Sequence, residues 1–189
     1  MNHRHRVSGL LILLFAITYI DRVCISVAGP RMQEDLGISP VGWGWVTAMF
    51  TLSYCIFEIP TGALGDRIGP RRVLTRIVLW WSAFTMLTGF ATGYPTLLAT
   101  RFLFGAGEAG ALPSASNAVA RWFPLSERGK ANGAILFGTR VGGMIGVPLV
   151  LVLITRWGWR ASFVIVGAVG LVWAAAWFAW YRDWPSEHP

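Results

Sequence analysis

Charge is scarce in this sequence. Only 13% of its 189 residues are Asp, Glu, Lys or Arg, about half the share of a soluble globular domain. A soluble surface must stay largely polar. A chain that is 54% hydrophobic, with 11 Trp and 11 Phe, lacks the charge to cover its apolar residues, which points to an integral membrane protein. Histidine is nearly absent: His3, His5 and His188 all lie in the tails. No serine motif has a matching histidine, no phosphate-binding glycine loop occurs, and no residue cluster has metal-ligand spacing. The sequence therefore offers no enzyme, no ATP drive, no metal site and no cofactor. The two cysteines, Cys24 and Cys55, sit inside apolar runs, where buried free thiols are expected rather than a disulfide framework. The net charge of +7 is a nucleic-acid signal only when it forms a patch. Here the basic residues form short clusters between apolar runs, so no nucleic-acid partner is expected.

What is present is a series of long apolar runs. A helix needs about 20 mainly apolar residues to cross a bilayer. Six stretches qualify, at roughly 7–29, 41–64, 73–93, 96–119, 131–154 and 160–181. The third connection is little more than Thr92–Pro95, which forces an antiparallel hairpin. With the polar end "RDWPSEHP", these spans account for residues 1–189 as one all-α bundle of six transmembrane helices. The start, "MNHRHRVSGLLILLFAITYI", has the basic and apolar parts of a signal peptide, but Asp21-Arg22 and further apolar residues follow in place of a cleavage site. A retained first span is the expectation.

Lys and Arg in the loops set the orientation. With a cytoplasmic N-terminus, the inside segments hold Arg4, Arg6, Arg67, Arg71, Arg72, Arg76, Arg121, Arg128, Lys130 and Arg182. The outside loops hold Arg31, Arg156 and Arg160. Both ends are therefore expected inside. Arg22, Arg101 and Arg140 fall within spans.

The loop between spans two and three reads Gly62-x-x-x-Asp66-Arg67-x-Gly69-x-Arg71-Arg72. Glycine permits close helix approach and a turn at positive φ. Asp66 can pair with arginines or meet a helix N-terminus. A plain positive-inside loop would need the arginines but not this spacing. The spacing resembles the signature loop of the major facilitator superfamily of secondary transporters, G-x-x-x-D-R-x-G-x-R-R, at every position. The resemblance covers six spans, the N-terminal half of transporters that normally have twelve. It implies a conformational latch at Gly62, Asp66, Arg67, Gly69, Arg71 and Arg72, and a second six-helix bundle as partner, either a missing C-terminal half or a second copy. A weaker echo links Arg67-Ile-Gly69-Pro-Arg71 after Pro60 to Arg156-Trp-Gly158-Trp-Arg160 after Pro148. That is the pattern of a three-plus-three inverted repeat.

Ionisable residues at membrane depth are expensive, so each is a functional candidate. Asp21 and Arg22 lie about fifteen residues into span one, near or past mid-membrane. They can act on a substrate or merely neutralise one another. In span four, "RFLFGAGEAGALPSASNAVA", Arg101 and Glu108 lie seven residues apart and share one helix face. Gly105, Gly107 and Gly110 keep that helix slim, and Pro113 is expected to kink it. Burial favours the neutral form of a carboxyl group and a nearby arginine favours its charged form. A glutamate under both influences can exchange a proton as the arginine moves; a static Glu–Arg staple is the plainer alternative.

"YIDRVCISVA" and "RFLFGAGEAGALPSASNAVARWFP" are similar to the anion:cation symporter branch of the superfamily. That resemblance implies proton-coupled symport of small organic anions, such as hexonates and hexuronates, by alternating access. Asp21 and Glu108 match the proton-handling carboxylates and Arg101 the arginine coupled to them. Arg22 matches the arginine that faces the substrate, and Tyr19 and Tyr54 the substrate-contacting tyrosines. An unneutralised Arg22 in a water-filled cavity could hold a carboxylate bidentately. Glu58 is expected to pair with the basic hinge. Gly138, Gly142 and Gly146 form a packing face in span five. Arg140 points about 200° away from Gly138, toward the substrate cavity or the headgroups. The competing readings are an antiporter of another substrate class, which counterflow without a pH gradient would separate, and a truncated or half-size module without transport of its own. The composition fits an inner membrane.

Overall fold

The computed structural model describes residues 3–187; of the tail histidines, His188 lies outside them. The chain folds into helices α1 (His3–Leu36), α2 (Pro40–Ile68), α3 (Pro70–Thr88), α4 (Tyr94–Glu108), α5 (Ala111–Trp122) and α6 (Leu125–Trp180), with a 3₁₀ turn at Pro185–Glu187. No strand occurs among the described residues. These helices make the six expected spans in an unexpected division. Span four is α4 plus α5. Spans five and six are two limbs of α6, 125–157 and 159–180, which meet at Gly158 (φ 79°, ψ 165°).

The break in span four is not where proline predicts it. The chain leaves the helix at Ala109 (φ −54°, ψ 139°) and re-enters through Gly110 at φ 82°. Pro113 then lies in the first turn of α5, where a missing N–H costs nothing. Glycine sets the break because φ > 0 is free for it alone. Span three also ends earlier than expected, at Thr88 rather than residue 93. Tyr94 and Pro95 begin α4 instead of closing the turn. The Thr96 hydroxyl accepts from the N–H groups of Thr92 and Gly93, both at 3.2 Å, which ties the turn before α4 to its first helical turn.

Glycines decide which helices pair. A Cβ on Gly138 would come 2.5 Å from the Ile12 carbonyl oxygen, and one on Gly142 would overlap Ala16. Spans one and five therefore meet backbone to backbone. Gly105 fits Phe50 and Ser53, joining spans four and two, and Gly167 and Gly170 fit Ser82, joining spans six and three. A repeat that maps spans one, two and three onto four, five and six turns the one–five pair into four–two and leaves three–six unchanged. The observed pairs obey that rule.

The two turns of the sequence echo are also alike. Gly69 (φ 88°, ψ 151°) and Gly158 (φ 79°, ψ 165°) share a conformation essentially reserved for glycine. Two residues on, each turn carries an arginine. The Arg71 guanidinium donates to the Phe178 carbonyl at 3.1 and 2.6 Å, and Arg160 donates to Gly89 and Ala91 at 3.3 and 2.8 Å. Arg71 thus ties the start of span three to the end of span six, and Arg160 ties the start of span six to the end of span three. The inverted repeat is built into hydrogen bonds as well as topology.

Two apolar clusters divide the interior. One, at the hinge end, includes Leu11, Ile77, Phe104, Trp173, Trp177 and Tyr181; the last three rings stack at 5.2 and 3.9 Å. The other, at the opposite end, includes Cys24, Met32, Leu97, Ile154 and Phe163. Large apolar side chains also cover the outside, Ile59 at 81% and Met144 at 72% exposure among them, as a lipid-facing surface requires.

Candidate functional site

Between the two apolar clusters lies a polar layer. Thr18 and Asp21 of α1, Ser53 of α2, Ser82, Thr85 and Thr88 of α3, and Arg101 and Glu108 of α4 are all buried there. Asp21 is 2% exposed, and its carboxylate faces the Thr85 hydroxyl without a hydrogen bond of ordinary length and angle among the described residues. The charged side chains acting on it are Arg101 and Glu108. The Nε of Arg101 and the Oε2 of Glu108 are likewise buried without partners. Such orphans are rare in an ordinary core, and here several share one layer.

Arg22 is the open side of this layer. Its Nε donates to Glu108 Oε1 at 2.9 Å and its terminal nitrogen pairs with the same oxygen. The guanidinium carbon lies 5.5 Å from the Tyr19 ring, 5.1 Å from Phe50 and 5.4 Å from Tyr54. Three aromatic faces therefore cage one cation. The side chain stays 34% exposed, whereas Glu108 is 1% exposed. A cavity of about 220 Å³ opens on this group, and Arg22, Thr47, Phe50, Arg101 and Phe104 line it.

The sequence-based expectation of an unneutralised Arg22 is therefore corrected: Glu108 occupies its fork. Nor does Arg101 pair with Glu108 along the shared helix face. It turns to α3, where it donates to the Thr88 hydroxyl at 2.7 Å and stacks 4.4 Å over Phe104. Glu108 is the last residue of α4, and its side chain lies against Arg22 of α1. The glutamate staples helices, but to Arg22. Tyr19 and Tyr54 come together with Arg22, as expected. Phe50, Phe104 and Thr88 carry no sequence signal, because apolar rings and hydroxyls are common in any span.

Arg140 is exposed and does not line the cavity. It lies about one turn before Gly143, whose Cβ position is 3.8 Å from the Tyr19 ring, so its face of α6 leads toward the cage. Glu58 forms no ion pair among the described residues, so its expected pairing with the hinge is not observed.

The hinge itself is held partly by residues the sequence does not single out: Gly65, Ser114, Asn117 and Asp183. Gly62 and Gly65 let α2 lie against Pro113 and Ser114 of α5, with Cβ positions 3.3 and 2.7 Å away. Asp66 takes no arginine; its Oδ1 accepts from the Asn117 amide at 2.8 Å. Asp183, from the polar end of the chain, accepts from the Arg71 backbone N–H at 3.0 Å and lies 3.7 Å from Arg121. It thereby caps the N-terminus of α3, where an anion is favoured. A Cβ at Gly69 would come within 2.7 Å of that carboxylate. Arg67 and Arg72 are exposed.

Residues 11–189 match the family model of the Major Facilitator Superfamily. The chain belongs to the major facilitator superfamily. Its members are multi-pass membrane transporters rather than enzymes, and the six spans here are their N-terminal bundle. The chain is 40% identical over 185 residues to the "Probable sulfoacetate transporter SauU" of Cupriavidus necator, covering 98% of this chain and 43% of that protein. It is 34% identical to the "Hexuronate transporter" of Bacillus subtilis, over 94% of this chain and 42% of the relative. It is 36% identical to the "Probable galactarate/D-glucarate transporter GudP" of Escherichia coli, over 100% and 43%. Among solved structures, a bacterial homologue to the human lysosomal transporter Spinster, inward-facing and occupied, superposes with a TM-score of 0.88 at 27% identity, covering 98% of this chain and 46% of that one. The chain spans less than half the length of these relatives.

Proposed function

We propose that the chain is one half of a proton-coupled transporter of small organic anions that works by alternating access. One observation carries the reading: a caged, partly exposed Arg22 borders a cavity and holds a buried carboxylate, Glu108, beside the buried Asp21 and Arg101. An entering carboxylate or sulfonate competes with Glu108 for the guanidinium. Once displaced, Glu108 is a buried carboxylate without its partner, a costly state that binding a proton relieves. Anion entry and proton uptake are then linked through Arg22. Asp21 is the second proton-handling carboxylate, Arg101 the cation that couples the two, and Tyr19, Tyr54 and Arg140 contact the substrate. The names of the relatives support a small-anion substrate, with sulfoacetate, hexuronates and galactarate or glucarate as the first candidates.

A second six-helix bundle completes the cavity, and the latch from Gly62 to Arg72 holds one access state. The excess of basic residues in one set of loops supports an N-terminus and a hinge in the cytoplasm, with the chain in the inner membrane. The deciding experiment is uptake into membrane vesicles of the protein encoded by the complete reading frame. Glu108→Gln should lose uptake driven by a proton gradient and keep exchange of bound for external anion. Unchanged gradient-driven uptake would remove Glu108 from the coupling.

A further inference from the structure

We propose that the cleft along the outer face of α3 binds an anionic glycerophospholipid, its phosphate held by Arg72 and Arg76 and its acyl chain resting on Trp80. Arg72 and Arg76 are exposed and stand one helical turn apart. Neither takes part in an ion pair among the described residues. Beyond them the same face turns wholly apolar: Leu79, Trp80 and Leu87 are 45, 44 and 47% exposed. Leu79 to Leu87 spans about 12 Å at 1.5 Å per residue. Cations at one end and apolar surface along the rest is the order in which a phospholipid presents its own groups.

The face is also grooved. A shallow, open depression beside Arg72 and Arg76 adjoins a deeper cleft of about 310 Å³, and the two share Arg76 and Trp80. Phe178 of α6 walls the first, and Phe57 of α2 and Leu103 of α4 wall the second. Their floor is fixed. The Trp80 indole N–H donates to the Leu103 carbonyl at 2.8 Å, its ring fills the space a Cβ on Gly107 would occupy, and Phe84 leans on it at 5.4 Å. Two guanidinium groups call for a phosphate. Apolar walls below them call for an acyl chain, which a free phosphate or an acidic peptide lacks. A choline headgroup would bring a third cation against the two arginines, so an anionic headgroup is preferred.

Native mass spectrometry of the 189-residue chain in detergent, titrated with phosphatidylglycerol or phosphatidylcholine, tests this. Phosphatidylglycerol should bind more tightly. Arg76→Gln should weaken it about five-fold, the equivalent of about 1 kcal/mol per headgroup arginine, and the Arg72→Gln/Arg76→Gln pair should erase the preference. Arg76→Lys, which keeps the charge, should retain most of it. Trp80→Ala should weaken both lipids alike. Arg6→Gln, in the separate cleft of about 450 Å³ beside Trp180, should change nothing. The thermal midpoint in phosphatidylcholine alone reports whether each variant is folded. Equal affinity for the two lipids, or an Arg76→Gln chain that binds like the parent, would overturn the site. So would an equal loss in Arg6→Gln, which means diffuse charge attraction, or a dimer that excludes lipid, which means a second copy covers the face.

Discussion

Arg22 holds one buried carboxylate, faces three rings and borders an open cavity at once. Charge-assisted hydrogen bonds contribute about 1.5–3 kcal/mol each, so Arg22→Ala should weaken anion binding at least about ten-fold, read by titration calorimetry. Arg22→Lys should recover only part of that, because an ammonium keeps the charge and loses the planar fork. Asp21 poses the opposite case. Its carboxylate is buried with only the Thr85 hydroxyl facing it, and a buried carboxylate so weakly satisfied costs stability. Asp21→Asn should therefore leave the thermal midpoint unchanged or raise it while abolishing proton-driven uptake. A lowered midpoint with intact uptake would make Asp21 structural.

Between helices, glycine and arginine set the geometry. Gly110 holds φ 82°, and a Cβ there would also come 2.7 Å from Thr61. Gly110→Ala should cost about 1–3 kcal/mol from backbone strain alone. Pro113→Ala should cost under about 1 kcal/mol, because the first turn of α5 needs no donor at that position. Thermal unfolding of the two variants separates a glycine-made break from a proline-made one; a larger loss for Pro113→Ala would reverse the assignment. The repeat makes a matching demand on the arginines of the two turns. Arg71 and Arg160 tie spans three and six together from opposite ends, so Arg71→Ala and Arg160→Ala should lower the midpoint by similar amounts. A large effect from one alone would mean that the two ends do not carry equal parts of the packing.

For the whole molecule, the proposed orientation places the loop at Leu36–Pro40 outside and the one at Phe123–Leu125 inside. With Cys24 and Cys55 changed to serine, Glu34→Cys should react with an impermeant maleimide added to intact cells, and Ser126→Cys should react only after the membrane is opened. Both are exposed positions, so access, not burial, decides the labelling. The reverse pattern would invert the topology and move the hinge to the outside face.

The sequence by itself determined the class, the number of spans and the family, because hydropathy, loop charge and the hinge spacing are local properties written residue by residue. It also picked out Asp21, Arg22, Arg101 and Glu108, since ionisable groups in apolar runs stand out without coordinates. Only the tertiary structure decided how those four are paired. Glu108 reaches Arg22 across 86 residues of chain, while Arg101 turns to Thr88 of α3. The structure likewise decided that Asp183, over a hundred residues away, caps the helix the hinge begins, and that Asp66, left open between an arginine and a helix N-terminus, takes the Asn117 amide. Partner choice depends on distances between helices, and those are set by where glycines let backbones touch. That is a property of the packed bundle, not of any one segment.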